Sequence, residues 1–195
     1  MATAQFGRVI TAMITPFTED GAVDYESAVA LAKHLVAHGS EGLLVGGTTG
    51  EGATMTAEEK LKLYTLIVDA VGKRGEGKKV PVMGNIGTIS TADTIAFGNK
   101  AKETGIDCAL VIVPFYVKPN QEGMYQHFTA VAKGVDLPLV LYNVPGRTGA
   151  SIQPETLKRI VDECPNVVGI KDATGSWDQV TKEKALLPED FMIYS

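Results

Sequence analysis

A lysine that closes a short apolar run is the residue of this sequence best suited to covalent chemistry. Lys171 ends a run that begins at Val167, and side chains alternate along a strand, so Lys171 shares a face with Gly169 and Val167. Burial disfavours the ammonium form and lowers its pKa, and a neutral amine is the nucleophile that forms a Schiff base with a carbonyl. The alternative is a lysine that reaches the rim of the sheet and pairs with Asp172.

Two tyrosines and an arginine also follow apolar runs. Tyr142 ends the run Pro138–Tyr142, where a phenol can transfer protons if a neighbour tunes it, and Tyr116 comes just after another run. Arg147 lies in a loop held by Pro145 and two glycines, where a guanidinium can bind a carboxylate in a bidentate manner. The alternatives are an aromatic side chain that only fills space and an arginine that is only solvated.

A glycine-rich turn, Gly46–Gly52, follows the apolar run Gly42–Val45 and contains Thr48 and Thr49. Free backbone N–H groups and threonine hydroxyls suit a carboxylate or a phosphate. The turn lacks the Gly-Lys-Ser/Thr of a P-loop and has the wrong glycine spacing for a dinucleotide-binding motif. A tight turn without a ligand is the alternative.

The histidines and cysteines do not predict a metal site. His34 and His38 lie one turn apart on a predicted helix, but no third ligand is evident, so we interpret them as surface residues. Cys108 lies in an apolar run and Cys164 stands beside Pro165, and neither has a histidine at ligand or nucleophile spacing. We therefore expect neither a metal ion nor a cofactor.

The composition excludes several classes of protein. The chain has 195 residues, of which 45% are hydrophobic and 21% charged, and its net charge is −5. This composition excludes a disordered chain and a disulfide scaffold. A net negative charge also does not favour binding to nucleic acid or to an anionic membrane. With no evident signal peptide, no apolar run long enough to span a bilayer and two free thiols, we expect a cytoplasmic protein.

Short apolar runs alternate with longer amphipathic stretches along the whole chain. Because the runs are almost entirely apolar, they predict strands buried on both faces of a parallel sheet that helices cover. The helical stretches begin at recognisable caps, such as Thr56 with Glu59. The predicted strands are Val9–Ile14, Gly42–Val45, Val80–Gly84, Ala109–Val113, Pro138–Tyr142, Val167–Lys171 and Phe191–Tyr194.

This order predicts an α/β fold with seven strands and six helices. Two architectures fit, a doubly wound sheet and a (β/α)8 barrel, and we expect one domain over residues 1–195 because no linker interrupts the pattern. A barrel would need a further helix, strand and helix after Ser195, so on that interpretation it is incomplete. The strand ends of a barrel meet at one mouth, which would bring together the polar residues that follow four of the strands: Thr48, Tyr116, Tyr142 and Lys171.

A series of short motifs runs over essentially the whole chain in a fixed order. They are Thr15-Pro16-Phe17, Gly47-Thr48-Thr49-Gly50-Glu51, Tyr116 with Gln121-Glu122-Gly123, Tyr125-Gln126-His127-Phe128, Tyr142-Asn143-Val144-Pro145, Gly146-Arg147-Thr148-Gly149 and Gly169-Ile170-Lys171-Asp172-Ala173-Thr174-Gly175. Together they resemble the dihydrodipicolinate synthase family of pyruvate-dependent Schiff-base lyases. The resemblance implies a (β/α)8 barrel, here without its last β/α elements and the C-terminal helical extension.

The resemblance also implies an activity and an assembly. The family condenses pyruvate with L-aspartate 4-semialdehyde on the route to diaminopimelate and lysine, without a cofactor, in a homotetramer built from tight dimers. Lys171 matches the lysine that forms the Schiff base with pyruvate, and Tyr142 matches the tyrosine that donates and accepts protons. Thr48 and Tyr116 match the partners of that tyrosine in a proton relay, and Tyr116 reaches across the dimer interface.

Substrate-binding residues follow from the same resemblance. Thr48 and Thr49 match the residues that hold the carboxylate of pyruvate, and Arg147 matches the arginine that receives the carboxylate of the aldehyde. At the family's effector site this chain has Ala57, Lys60 and Ile89, where lysine-sensitive members place polar or aromatic residues, so we expect free lysine to inhibit weakly or not at all.

Two alternatives to the synthase activity stay open. One is another pyruvate-dependent aldolase or lyase, such as an N-acetylneuraminate lyase or a 2-keto-3-deoxy-sugar-acid aldolase. Arg147 and the pair Thr48-Thr49 favour the synthase over these enzymes. The other alternative is a non-catalytic fragment, or a subunit that needs a partner to finish the barrel.

Overall fold

The computed structural model describes residues 6–73, 75 and 79–195. Internal contacts divide the chain into two compact units. The first unit falls within residues 3–85 and 100–108, and the second within residues 86–99 and 109–195. Both units consist of parallel strands that alternate with helices, which confirms the predicted α/β class. The single domain over residues 1–195 stays a prediction.

The first unit contains a parallel sheet whose central strand is buried. Leu43 of that strand lies opposite Thr11 on one side and Val82 on the other. All four residues of the strand are buried, as expected for a strand covered on both faces. The elements are β1 (Ile10–Ala12), α1 (Tyr25–Ala37), β2 (Gly42–Val45), α2 (Ala57–Val71) and β3 (Val82–Asn85).

Polar side chains cap both helices of the first unit. The Thr56 hydroxyl accepts a hydrogen bond from the Glu59 backbone, and the Glu59 carboxylate accepts one from the Thr56 N–H, which is the predicted capping box. Asp24 accepts a hydrogen bond from the Ser27 N–H at the start of α1. The two helices pack against each other.

The second unit contains four strands in parallel order. It holds most of α3 (Thr91–Glu103) and of β4 (Cys108–Ile112), followed by α4 (Gln121–Gly134), β5 (Leu139–Asn143), α5 (Pro145–Thr148), α6 (Pro154–Glu163), β6 (Val167–Asp172), α7 (Trp177–Leu186) and β7 (Met192–Tyr194). All five residues of β5 are buried. No helix within the described residues combines the length and the apolar character that crossing a bilayer requires.

The described residues form the seven predicted strands but seven helices, one more than predicted. The additional helix is α5, a single turn in a segment predicted as a loop because of its proline and glycines. Pro145 is tolerated at the first position of a helix, where the missing N–H costs no hydrogen bond. Gly149 ends the turn with φ of +70°, a conformation in which glycine is unstrained.

A bulge in β6 sets the pairing at the carboxyl end of that strand. Leu139 and Val140 are consecutive in β5, yet they pair with Val167 and Gly169 of β6. Val168 is therefore an extra residue without a partner in β5. Beyond it the two strands run in regular register to their ends.

Candidate active site

Two of the predicted site residues, Lys171 and Tyr142, face each other at the ends of neighbouring strands. They form a cross-strand pair of β6 and β5, so their side chains leave the sheet on the same face. The Lys171 Nζ lies 4.6 Å from the centre of the Tyr142 ring, and Tyr142 is buried. The register of the two strands therefore places an amine beside a phenol ring.

Lys171 itself is half-buried, and burial lowers the pKa of its ammonium group. A lowered pKa increases the fraction of neutral amine at a given pH, which is the form that attacks a carbonyl. Two residues earlier, Gly169 leaves no room for a side chain, because a Cβ there would lie 2.9 Å from the Met192 carbonyl oxygen. The glycine therefore permits β7 to approach the strand that carries the lysine.

The alternative from the sequence was an ion pair between Lys171 and Asp172, and the structure does not contain this pair. Adjacent residues of a strand point to opposite faces, and the Asp172 carboxylate is buried on the face away from the lysine. Its Oδ1 accepts hydrogen bonds from the Thr174 N–H and hydroxyl, at 2.9 and 2.6 Å. The Lys171 amine is thus left without a carboxylate from its own strand.

A hydrogen-bonded network begins at Asn143, at the end of the strand that carries Tyr142. Asn143, which follows Tyr142, is fully buried, and its Oδ1 accepts a hydrogen bond from the Ile152 N–H at 3.3 Å. The Ile152 carbonyl in turn accepts from the Gln179 amide at 3.0 Å. This network ties the end of β5 to α7 through Ile152.

Arg147 lies on α5, directly after the strand that carries Tyr142. Its side chain is exposed, and its backbone N–H donates to the Val144 carbonyl at 2.9 Å. Within the described residues its guanidinium makes no hydrogen bond or ion pair. Arg147 therefore offers a cation on a short, backbone-braced helix close in sequence to the site.

Tyr116 follows β4 and has an unusual backbone. It is 88% exposed, and its φ of +68° lies in the left-handed region, as does the φ of +44° at Lys118. Non-glycine residues seldom adopt this conformation, because it costs free energy and persists only where the surrounding structure enforces it. The side chain of Tyr116 is thus open to solvent on a backbone that its surroundings hold in place.

Thr48 and Thr49 belong to the first unit, where both are exposed in the turn after β2. The turn is tightly packed beneath them. A Cβ at Gly52 would lie 1.9 Å from the Gly46 carbonyl oxygen, and a Cβ at Gly50 would lie 2.8 Å from the Met13 carbonyl oxygen. The glycines thus allow close backbone packing that presents two adjacent hydroxyls.

One buried acidic residue near the site was not found from the sequence. Glu183 lies on α7 with its carboxyl group fully buried, and the Asp172 carboxyl is at hydrogen-bonding distance from it. The available signal was its position on the inward face of the helix, three residues after Val180 and four before Leu187.

Comparisons with known proteins agree with these motifs. The Dihydrodipicolinate synthetase family model matches residues 5–195. The 4-hydroxy-tetrahydrodipicolinate synthase of Thermosynechococcus vestitus is 52% identical over 191 residues, which cover 97% of this chain and 62% of that protein. The chain thus spans less than two thirds of the length of this relative.

Solved structures agree as well. The dihydrodipicolinate synthase of Cyanidioschyzon merolae with lysine bound has a TM-score of 0.93 at 42% identity, over 97% of this chain and 63% of that one. The chloride-inhibited synthase of Acinetobacter baumannii complexed with pyruvate has a TM-score of 0.92 at 39% identity, over 98% and 64%. The predicted fold class, a (β/α)8 barrel of which the described residues hold seven strands, is therefore confirmed. By sequence and by structure, the chain belongs to the dihydrodipicolinate synthase family.

Proposed function

We propose that this chain is the Schiff-base-forming part of a 4-hydroxy-tetrahydrodipicolinate synthase, a lyase that condenses pyruvate with L-aspartate 4-semialdehyde. The observation that carries the proposal is Lys171, a half-buried lysine with a lowered pKa against the ring of Tyr142. The synthases named above favour this activity over that of a neuraminate lyase or a sugar-acid aldolase.

Lys171 would act as the nucleophile. Its neutral amine attacks the keto carbon of pyruvate, and loss of water gives an imine. Loss of a proton from the pyruvate methyl group then gives an enamine, whose carbon attacks the aldehyde and forms the C–C bond. Tyr142 would donate and accept protons during imine formation, and the contact between its ring and the amine supports this role.

The other site residues take the roles that family membership suggests. Thr48 and Thr49 would hold the carboxylate of pyruvate through their hydroxyls and turn N–H groups. Arg147 would receive the carboxylate of the aldehyde. Tyr116, exposed on a left-handed backbone, would complete the proton relay in a neighbouring subunit of a tight dimer, with two such dimers in a tetramer.

We also propose that free lysine inhibits this protein weakly or not at all, although the Cyanidioschyzon merolae relative is one with lysine bound. Lys60 is half-buried on α2, and burial lowers the pKa of its ammonium group. A cation that is already poorly solvated would disfavour the entry of a second ammonium group.

Reduction of the imine tests the role of Lys171. We expect pyruvate with borohydride to add a stable mass to the protein, located at Lys171 by peptide mass spectrometry. Lys171→Ala should abolish the adduct, whereas Lys182→Ala, which removes an exposed lysine of α7, should not. An adduct that persists in Lys171→Ala would refute the assignment.

A further inference from the structure

Two buried carboxyl groups meet behind the end of β6. Asp172 is 3% exposed and Glu183 is 0% exposed. Oδ1 of Asp172 accepts both hydrogen bonds from Thr174, and Oε1 of Glu183 accepts one from the Gln179 amide at 3.1 Å. The second oxygen of each carboxyl group has no donor among the described residues, yet the two groups lie at hydrogen-bonding distance from each other.

No cation within the described residues compensates two negative charges at this place. Helix α6 packs against α7, but its Lys158 pairs with Asp162 and its Arg159 pairs with Glu122. The remaining acidic groups of α6, Glu155 and Glu163, are exposed, and Glu163 pairs with Lys133.

The other charged groups of α7, β6 and β7 also do not pair with either of the two carboxyl groups. The charged side chains of α7 besides Glu183, which are Asp178, Lys182 and Lys184, are exposed. Lys171 leaves β6 on the opposite face, and Tyr194 is the titratable residue of β7. Two adjacent buried carboxylates without a cation repel each other strongly, whereas one shared proton converts the contact into a hydrogen bond.

We propose that Asp172 and Glu183 share one proton, and that Glu183 is a positioning residue for Lys171. The second part rests on the function proposed above for Lys171. The shared proton joins α7 to the last residue of β6, directly after the lysine. Through Gln179 and the Ile152 carbonyl, the same link continues to Asn143, which follows Tyr142.

The charge of the pair sets its effect on the lysine. Burial raises the pKa of Glu183 to about 7, the Gln179 hydrogen bond opposes the rise, and the charge of Asp172 adds to it. Below that pH the pair holds one negative charge and the hydrogen bond. Above it the pair holds two charges, which loosen the contact between α7 and β6 and favour the ammonium form of Lys171.

The pH dependence of unfolding tests the shared proton without any need for activity. A folded-state pKa above the ordinary 4.5 means that the folded protein keeps a proton that the unfolded chain loses, so this stabilisation is present at low pH and disappears as pH rises to about 7. Relative to Glu183→Gln, the wild-type unfolding equilibrium should shift roughly 100-fold towards the unfolded state between pH 4.5 and 8. Glu189→Gln, which alters an exposed carboxylate just after α7, should parallel the wild type.

Asp172→Asn offers an independent route, because it removes the charge and the carboxyl partner that add to the rise in the Glu183 pKa, so the pH dependence should become smaller although burial of Glu183 still contributes. If both variants track the wild type across this pH range, the shared proton is refuted.

The rate of borohydride trapping with pyruvate tests the positioning role. In the wild type we expect the rate to depart from that of Glu183→Gln above about pH 7, with the variant roughly threefold faster at pH 8. The KM for pyruvate should change little. Identical pH profiles in the two proteins would overturn the positioning role. An absence of adduct in the wild type would overturn the proposed function instead, and the unfolding measurement would still decide the shared proton.

Discussion

At the scale of single residues, Arg147 is the side chain for which we propose a role in binding the aldehyde but not pyruvate. Its exposed guanidinium lies on α5, and a lost charge-assisted pair typically costs about 1.5–3 kcal/mol, roughly 10- to 150-fold. We expect Arg147→Ala to raise the KM for aspartate semialdehyde and to lower kcat/KM by that factor, with trapping of pyruvate unchanged. Arg159→Ala, at an exposed arginine of α6, is the matched control. An unchanged KM for the aldehyde would point to a different acceptor.

The positions of some site residues follow from the sequence, whereas the position of the buried Glu183 does not. The positions of Lys171 and Tyr142 at strand ends could be predicted, because strand alternation and a position at the end of an apolar run follow from local sequence. Glu183 was not predicted, because an acidic residue is normally placed on the exposed face of a helix and its spacing from Val180 and Leu187 does not outweigh that expectation. Its burial follows from the partner at Asp172, which becomes a neighbour only through the tertiary fold.

At the scale of elements, the capping box of α2 contributes to stability. The Thr56 hydroxyl and the Glu59 carboxylate satisfy N–H groups that the first turn of a helix leaves open. We expect Thr56→Ala to lower the free energy of unfolding by about 1 kcal/mol, measured by urea denaturation. Thr181→Ala, an exposed position within α7, should change it by less than about 0.5 kcal/mol. Equal effects of the two substitutions would contradict a specific role for the cap.

The strands were predicted to within about two residues, whereas α5 and the β6 bulge were missed. Apolar runs reveal buried strands directly, because the whole run must avoid water. The segment Pro145–Thr148 has the residues of a turn, and whether such a segment closes one helical turn depends on how the chain continues. The extra residue Val168 is apolar like Val167 and Ile170, so the apolar run that predicts β6 does not reveal the bulge.

At the scale of the whole molecule, one histidine couples stability to acid pH. His127 is buried in α4, its Nδ1 lies 2.9 Å from the Thr91 hydroxyl, and burial lowers its pKa from 6.5 to about 4. The folded protein therefore excludes a proton that the unfolded chain binds, so this contribution is present above pH 6.5 and is lost as pH falls to about 4. Relative to His127→Gln, the wild type should lose roughly 3 kcal/mol of unfolding free energy over this range.

The exposed His34 provides the control for this measurement. His34→Gln should follow the wild type at every pH. Parallel curves for wild type and His127→Gln would show that His127 is not buried in its neutral form.

The response to free lysine is the second prediction at the scale of the whole molecule. The half-buried cation at Lys60 is the feature from which we expect a weak response. In an assay of the proposed condensation, we expect no half-inhibition at sub-millimolar lysine. Lys60→Ala should not weaken any inhibition that remains, because it removes a repulsive charge. Tight inhibition of the wild type would contradict the repulsive effect expected of Lys60.

The bulge at Val168 makes the site sensitive to chain length in a way that substitutions do not reveal. If β6 kept Val168 but paired in regular register from Leu139 and Val167, with Val168 opposite Val140, Tyr142 would lie opposite Ile170. Lys171 would then lie one position past Tyr142 along the strand, although every amino acid of both motifs was kept. A regular β6 would therefore keep this pair only if Val168 were lost together with the bulge, and gaps placed within this strand when relatives are aligned decide which residues are compared as partners.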